Sequence, residues 1–261
     1  MIRHACAGLL ALSLAACGGA PRAGQNAVGA DTAVRRAEQA QQWHRAAESI
    51  TADLLVRVKP AGRDALTFTV NVWSPADGSV RLQVSKVGVS GFDALIQPDG
   101  SFTVVSREDD VVVDDLEHAF ADELGQGAAL ARLVEELKIG PVPAAATFTA
   151  DGGTLSATDP ATGLPVTLLF AEQPEQIASK SWTGPDGKPG MRLEYSRYKI
   201  FDGMQRPSVI AIRLPGRDGE FLVRVQDLNA VPSISDGRMR VAVPNGRPQM
   251  GFDEFLTRLA E

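Results

Sequence analysis

Apolar and polar positions alternate with a period of two along most of this chain. Leu66, Phe68, Val70 and Val72 take turns with Thr67, Thr69, Asn71 and Trp73, and Val80, Leu82 and Val84 with Arg81, Gln83 and Ser85. Further on, Ile210, Ile212 and Leu214 flank Ala211 and Arg213, and Phe221, Val223 and Val225 flank Leu222 and Arg224. Such runs give each strand one apolar and one solvated face, as in antiparallel sheets. Asp-Gly pairs punctuate them at Asp77-Gly78, Asp99-Gly100, Asp151-Gly152, Asp186-Gly187, Asp202-Gly203, Asp218-Gly219 and Asp236-Gly237. Both residues accept the positive φ of tight hairpins, so the pattern predicts a meander of about ten to eleven strands. No fixed spacing suggests a propeller or solenoid.

Three stretches depart from this period. Asp31 is placed to cap a helix in which Trp43, Ala47 and Ile50 share one face, ending near Thr51. Between residues 114 and 140 the period is again helical: Leu116, Phe120 and Leu124, then Leu130, Leu133, Val134 and Leu137. A helical excursion inside a meander has to lie across an end or an opening of the sheet, so this one is expected to be a lid. Phe120, Leu124, Leu133 and Val134 would face the sheet. Gly125 and Gly127 divide it into two half-helices, and because glycine costs about 1 kcal/mol in a helix interior they mark either a hinge or a plain loop. Residues 252–259 predict a short amphipathic terminal helix bearing Phe252, Phe255, Leu256 and Leu259.

The first residues form an address. Arg3 and His4 precede an apolar run over residues 5–16, the size of a signal-peptide core and too short to span a bilayer. It ends in Leu14-Ala15-Ala16-Cys17, which resembles the bacterial lipobox. That resemblance implies cleavage before Cys17, acylation of Cys17 and anchoring by acyl chains, each buried CH₂ contributing about 0.8 kcal/mol. Gly18 in place of an aspartate favours the outer membrane by the same resemblance. Residues 1–16 are thus expected to be a signal, 17–30 a lipidated flexible tether rich in Gly, Ala and Pro, and 31–261 one domain.

Composition narrows the function. A hydrophobic fraction of 44% supports a packed core and excludes disorder, and a net charge of −6 gives no basic footprint for nucleic acid. Both cysteines, Cys6 and Cys17, precede the folded body, which excludes a disulfide framework or thiolate zinc site there. After cleavage only His44 and His118 remain, too few for a triad or zinc centre, so they read as surface histidines. Asp109-Asp110 and Asp114-Asp115 read as charged strand ends rather than a Ca²⁺ site. Gly88-x-x-Gly91 and Gly125-x-Gly127 lack the lysine and strand–turn–helix context of a phosphate loop. Neither a cofactor, a metal nor catalysis is expected.

The order of elements resembles the LolA/LolB lipoprotein-carrier superfamily across residues 43–247. The stretches that carry the resemblance begin with Ile50-Thr51-Ala52-Asp53-Leu54-Leu55-Val56-Arg57-Val58 as opening strand. Leu133-Val134-Glu135-Glu136-Leu137 and Gly140-Pro141-Val142-Pro143 follow, then Tyr195-Ser196-Arg197-Tyr198-Lys199. Gln205-Arg206-Pro207-Ser208-Val209-Ile210-Ala211-Ile212 and Phe221-Leu222-Val223-Arg224-Val225 close the match. An extra strand pair around residues 153–170 and a longer first helix depart from it.

The resemblance implies a mainly β fold with α, an unclosed antiparallel β-barrel with a helical lid. It implies an outer-membrane lipoprotein, facing the periplasm, that binds acyl chains of lipoproteins or phospholipids and acts in lipoprotein localisation. A soluble periplasmic carrier protein is the implied partner. The expected cavity lining is Leu66, Phe68, Val70, Leu82, Val84, Phe102, Val104, Phe120, Leu124, Leu133, Leu193, Ile210 and Ile212. A filled barrel would show the same alternation. By resemblance alone, Val87 or Val89 is an apolar residue of an insertion loop. The alternative reading is a ligand-free structural or interaction lipoprotein of the envelope on the same fold; an envelope hydrolase is a third, weaker one.

Overall fold

The protein is described from a computed structural model that covers residues 30–43, 46–60, 64–86, 89–98, 102–106, 112–115, 126–142, 148–151, 154–159, 163–171, 176–184, 186–214, 219–243, 246 and 249–251. In chain order these form α1 (Ala30–Trp43), β1 (Ser49–Pro60), β2 (Leu66–Ser74), β3 (Val80–Lys86), β4 (Val89–Ile96), β5 (Phe102–Ser106), β6 (Val112–Asp115) and α2 (Gln126–Ile139). There follow β7 (Thr149–Asp151), β8 (Thr154–Thr158), β9 (Pro165–Phe170), β10 (Ile177–Thr183), β11 (Pro189–Phe201), β12 (Met204–Arg213), β13 (Gly219–Val231), the single turn α3 (Asp236–Met239) and β14 (Gln249–Gly251).

All the described strands belong to one sheet of order β14-β6-β5-β4-β3-β2-β1-β13-β12-β11-β10-β9-β8-β7. Every pairing is antiparallel except β14 with β6. The order is linear, so β14 and β7 do not meet and the barrel is unclosed, as expected. The strands β6, β7 and β14 are only three or four residues long, too short for alternation to show them. The remaining strands match the meander read from the sequence, including the extra pair β8 and β9. Asp77-Gly78 and Asp202-Gly203 lie between paired strands, and Asp202 and Gly203 both have positive φ, 45° and 75°, as a two-residue hairpin turn of type I′ requires; Asp236-Gly237, by contrast, opens the helical turn α3.

Two boundaries differ from expectation. The first helix ends at Trp43, and Ile50 and Thr51 belong to β1, where Ile50 pairs with Ala230 on one side and Ser74 on the other. Pairing on both edges outweighs a helical spacing that Trp43, Ala47 and Ile50 share by coincidence. Asp114 and Asp115 end β6 rather than starting a helix, and Gly127 is the second residue of α2. Phe120, Leu124, Gly125, His44, His118, Cys17, Val87 and residues 252–259 lie outside the described residues.

The apolar face of the sheet turns inward and forms one core with both long helices. From α1, Ala37 and Ala40 are buried where the helix packs on β7 and β8. From α2, Leu133, Val134 and Leu137 are buried.

Candidate functional site

Cross-strand partners share a face, so the register reads the inner surface row by row. One row runs Leu228, Ala52, Val72, Leu82, Ala94, Val104, and every member is buried. The next, toward the β1–β2 connection, runs Val225, Leu54, Val70, Val84, Phe92; Phe92 is only half-buried. Beyond it come Val223, Val56, Phe68 and Lys86, of which Val56, Phe68 and Lys86 are half-buried. In the last row Phe221, Val58 and Leu66 are all half-buried. Burial therefore falls steadily toward one end of β1, β2 and β13, where large apolar side chains face inward yet meet solvent. The backbone at this end is held by a close approach at Gly91, where a Cβ would stand 1.4 Å from the Val84 carbonyl oxygen.

The other flank is closed by α2. Strand β10 places Lys180 inward, opposite Leu168 and Leu193, a charged residue in an apolar row. It meets Glu136 of α2: Lys180 Nζ lies 2.6 Å from Glu136 Oε1, and both side chains are 1% exposed. The Tyr195 hydroxyl donates to Glu136 Oε2 at 2.8 Å, so both carboxylate oxygens are satisfied. Burial pushes the Glu136 carboxyl above its usual range, and Lys180 and Tyr195 hold it back. Burial and the neighbouring Glu136 push the Tyr195 phenol well up.

Arg206 completes the closure. It is fully buried and donates to the carbonyls of Leu137 at 3.1 Å and Lys138 at 2.8 Å. These are orphan acceptors at the C-terminus of α2, where the helix dipole favours a cation. Desolvation lowers the Arg206 guanidinium to about 10. Gly140, at φ 87°, donates to the Glu136 carbonyl at 2.9 Å and ends the helix. Lys138 Nζ donates to the Pro75 carbonyl at 2.8 Å, tying the helix end to the turn after β2.

Of the expected lining residues, Val70, Leu82, Val84, Val104, Leu133, Leu193, Ile210 and Ile212 are buried in the common core. Leu66 and Phe68 stand at the half-open end. Phe102 and Val89 are placed only by backbone, opposite Ile96 and Lys86. The inward Lys180, Glu136 and Arg206, and the rim residues Phe92 and Phe221, escaped the sequence reading. One signal for Glu136 was available: it lies three residues after Leu133, on the same helix face. Among the described residues no group of three His, Cys, Asp or Glu side chains comes together to hold a metal, and no helix is long and apolar enough to cross a membrane.

No family model matches the sequence, and no curated protein is similar to it in sequence. Solved structures do match. A LolA superfamily protein from Nitrosomonas europaea superimposes with a TM-score of 0.53 at 12% identity, covering 80% of this chain and 97% of its own. A DUF1329 family protein from Desulfovibrio piger gives 0.53 at 14%, covering 80% and 95%. A domain from Vibrio parahaemolyticus named for outer-membrane lipoprotein sorting gives 0.50 at 12%, covering 80% and 95%. At these identities the likeness is one of fold, and the unclosed sheet laid over by helices is the fold this chain shares with LolA superfamily proteins.

Proposed function

We propose that this chain is a lipid-anchored envelope protein that binds acyl chains of lipoproteins or phospholipids on the concave face of its sheet and serves lipoprotein localisation to the outer membrane. In this reading residues 1–16 are removed, Cys17 is acylated, residues 18–30 are the tether, and residues 31–261 are a single non-catalytic domain facing the periplasm. The observation that carries it is the graded inner surface: rows of apolar side chains, with Lys86 as a charged member at the rim, that pass from full burial to half-exposure at one end, as a site for an alkyl chain requires. The fold shared with a domain named for lipoprotein sorting supports the cargo class.

Mass spectrometry of lipids extracted from the purified full-length chain tests the binding. Acyl lipids in stoichiometric amount are expected, beyond the chains attached covalently at Cys17. An empty extract, together with no uptake of an added fatty acid, sinks the reading. The close packing of α2 over β10–β12 would then favour the ligand-free interaction lipoprotein. Cell fractionation of Cys17→Ser tests the anchor: wild-type recovery with the outer membrane would refute acylation at Cys17.

A further inference from the structure

The half-open rim carries one feature that an alkyl-chain site alone does not need. Lys86 ends β3 in the inward register, opposite Phe68 on β2 and in the row of Val56 and Val223. It is half-buried, and among the described residues it has no ion-pair or hydrogen-bond partner. A lysine stem packs well against apolar surface while its ammonium reaches solvent. With half-buried Phe68 as its partner on β2 and half-buried Phe92 in the next row, Lys86 gives this apolar rim a cationic member. Charged side chains elsewhere on the inner face are matched: Lys180 by Glu136, and Arg206 by the carbonyls at the end of α2. Asp64, exposed two residues before β2, and Glu220, opposite Lys59 at the start of β13, are the acidic residues that the described strands bring to the same end.

We propose that the ligand enters tail-first at this end and that Lys86 binds its head group, so that the site selects amphiphiles with an anionic head. The inference rests on the acyl-binding reading and adds to it the ligand's head-group charge and its direction of insertion. The direction follows from closure elsewhere. On β2 the Ser74 end is shut by α2, whose Lys138 reaches Pro75, while the Leu66 end stays half-exposed. A chain inserted from the Leu66 end passes Phe68 and meets the buried row of Val70 and Val84, leaving its head beside Lys86.

The test compares two probes that differ only in head charge, a dansyl-labelled undecanoate and its methyl ester, titrated into the full-length chain. The carboxylate should bind about twofold to fivefold more tightly, the range of a partly exposed ion pair. Lys86→Gln should abolish that preference and leave ester affinity unchanged, and Lys86→Arg should keep it. Raising ionic strength from about 0.05 M to about 1 M should erase the preference in the unaltered protein, a measurement that needs no variant. Equal affinities in the wild type, or a preference that survives Lys86→Gln in a chain with native circular dichroism, overturns the head-group assignment and leaves acyl binding standing. Binding of neither probe fails the acyl-binding reading itself.

Discussion

Replacing Lys180 by methionine isolates the closure of the inner face by α2. The change keeps an unbranched apolar stem of similar length and removes the ammonium 2.6 Å from Glu136, leaving a carboxylate 1% exposed with the Tyr195 hydroxyl as its donor. A buried unpaired carboxylate is costly, and it escapes by taking up a proton. The escape sets a ceiling. Holding a carboxylic acid of ordinary value 4.5 protonated at pH 7 costs about 3.4 kcal/mol, at 1.36 kcal/mol for each pH unit. Lys180→Met should therefore lose about 3 kcal/mol at pH 7, within the range seen when one partner of a buried pair is removed.

The same reasoning fixes the pH dependence. In the variant Glu136 titrates higher in the folded than in the unfolded chain, so its contribution is fully present below the unfolded value and is lost as pH rises through the folded one. The deficit relative to wild type should then shrink below about 1 kcal/mol near pH 4.5. Urea unfolding of both proteins at pH 7 and near pH 4.5 measures this, with tryptophan fluorescence as one readout, since Trp182 lies 4.8 Å from the Lys180 ammonium. The double variant Lys180→Met with Glu136→Leu should recover most of the loss, as apolar replacement of a buried pair commonly does. A deficit under about 1 kcal/mol at pH 7, or one equal at the two pH values, refutes the account.

Three further changes probe other parts of the structure. Arg206→Met leaves the Leu137 carbonyl without its Arg206 donor and the Lys138 carbonyl with the Ala47 amide alone, and should cost about 1–3 kcal/mol, with faster amide exchange confined first to α2; exchange unchanged there would show that Arg206 does not hold the helix. Gly91→Ala would put a Cβ 1.4 Å from the Val84 carbonyl oxygen, so β3 and β4 must separate, and a melting temperature equal to wild type would disprove that approach. Asp77 accepts from the Ser79 amide at 2.8 Å and the Ser79 hydroxyl at 2.7 Å, and these bonds hold its carboxyl below the ordinary value. Asp77→Ala should cost about 1 kcal/mol at neutral pH, with the difference vanishing as acid protonates Asp77 in the wild type; a loss that persists at pH 2 would point to the turn backbone instead.

Much of the fold was legible because alternation and hairpin chemistry are both local. The runs through Phe68, Val84, Ile212 and Val223 showed their faces directly, and Asp202-Gly203 announced a turn that only two positive-φ residues can make. Where local signals conflicted, the longer-range one won: Ile50 fits a helical face with Trp43 and Ala47, but its two strand neighbours come from residues 74 and 230. The closure by α2 was illegible for a similar reason. Lys180 reads as an exposed charge in the run Ile177–Thr183, and only Glu136, 44 residues earlier, makes its inward register tolerable. The rim was hidden too, because an alternating run does not tell which of its apolar residues stay half-exposed.

The strand order also dictates how such a chain can be assembled. Strands β1 to β5 and β8 to β13 pair with sequence neighbours, so each series can zip up through short hairpins within microseconds of collapse. The seam between them joins Ser49 to Val231, which closes a loop of nearly the whole domain. Until β13 is available, β1 is a twelve-residue edge with unpaired amides along one side, open to pairing with a second chain. A polypeptide threaded across a membrane with its N-terminus leading would expose that edge for as long as translocation lasts. Strand exchange between two copies at β1 and β13 is thus the misassembly this topology invites, and the interval before the seam closes is when a holding chaperone would matter most.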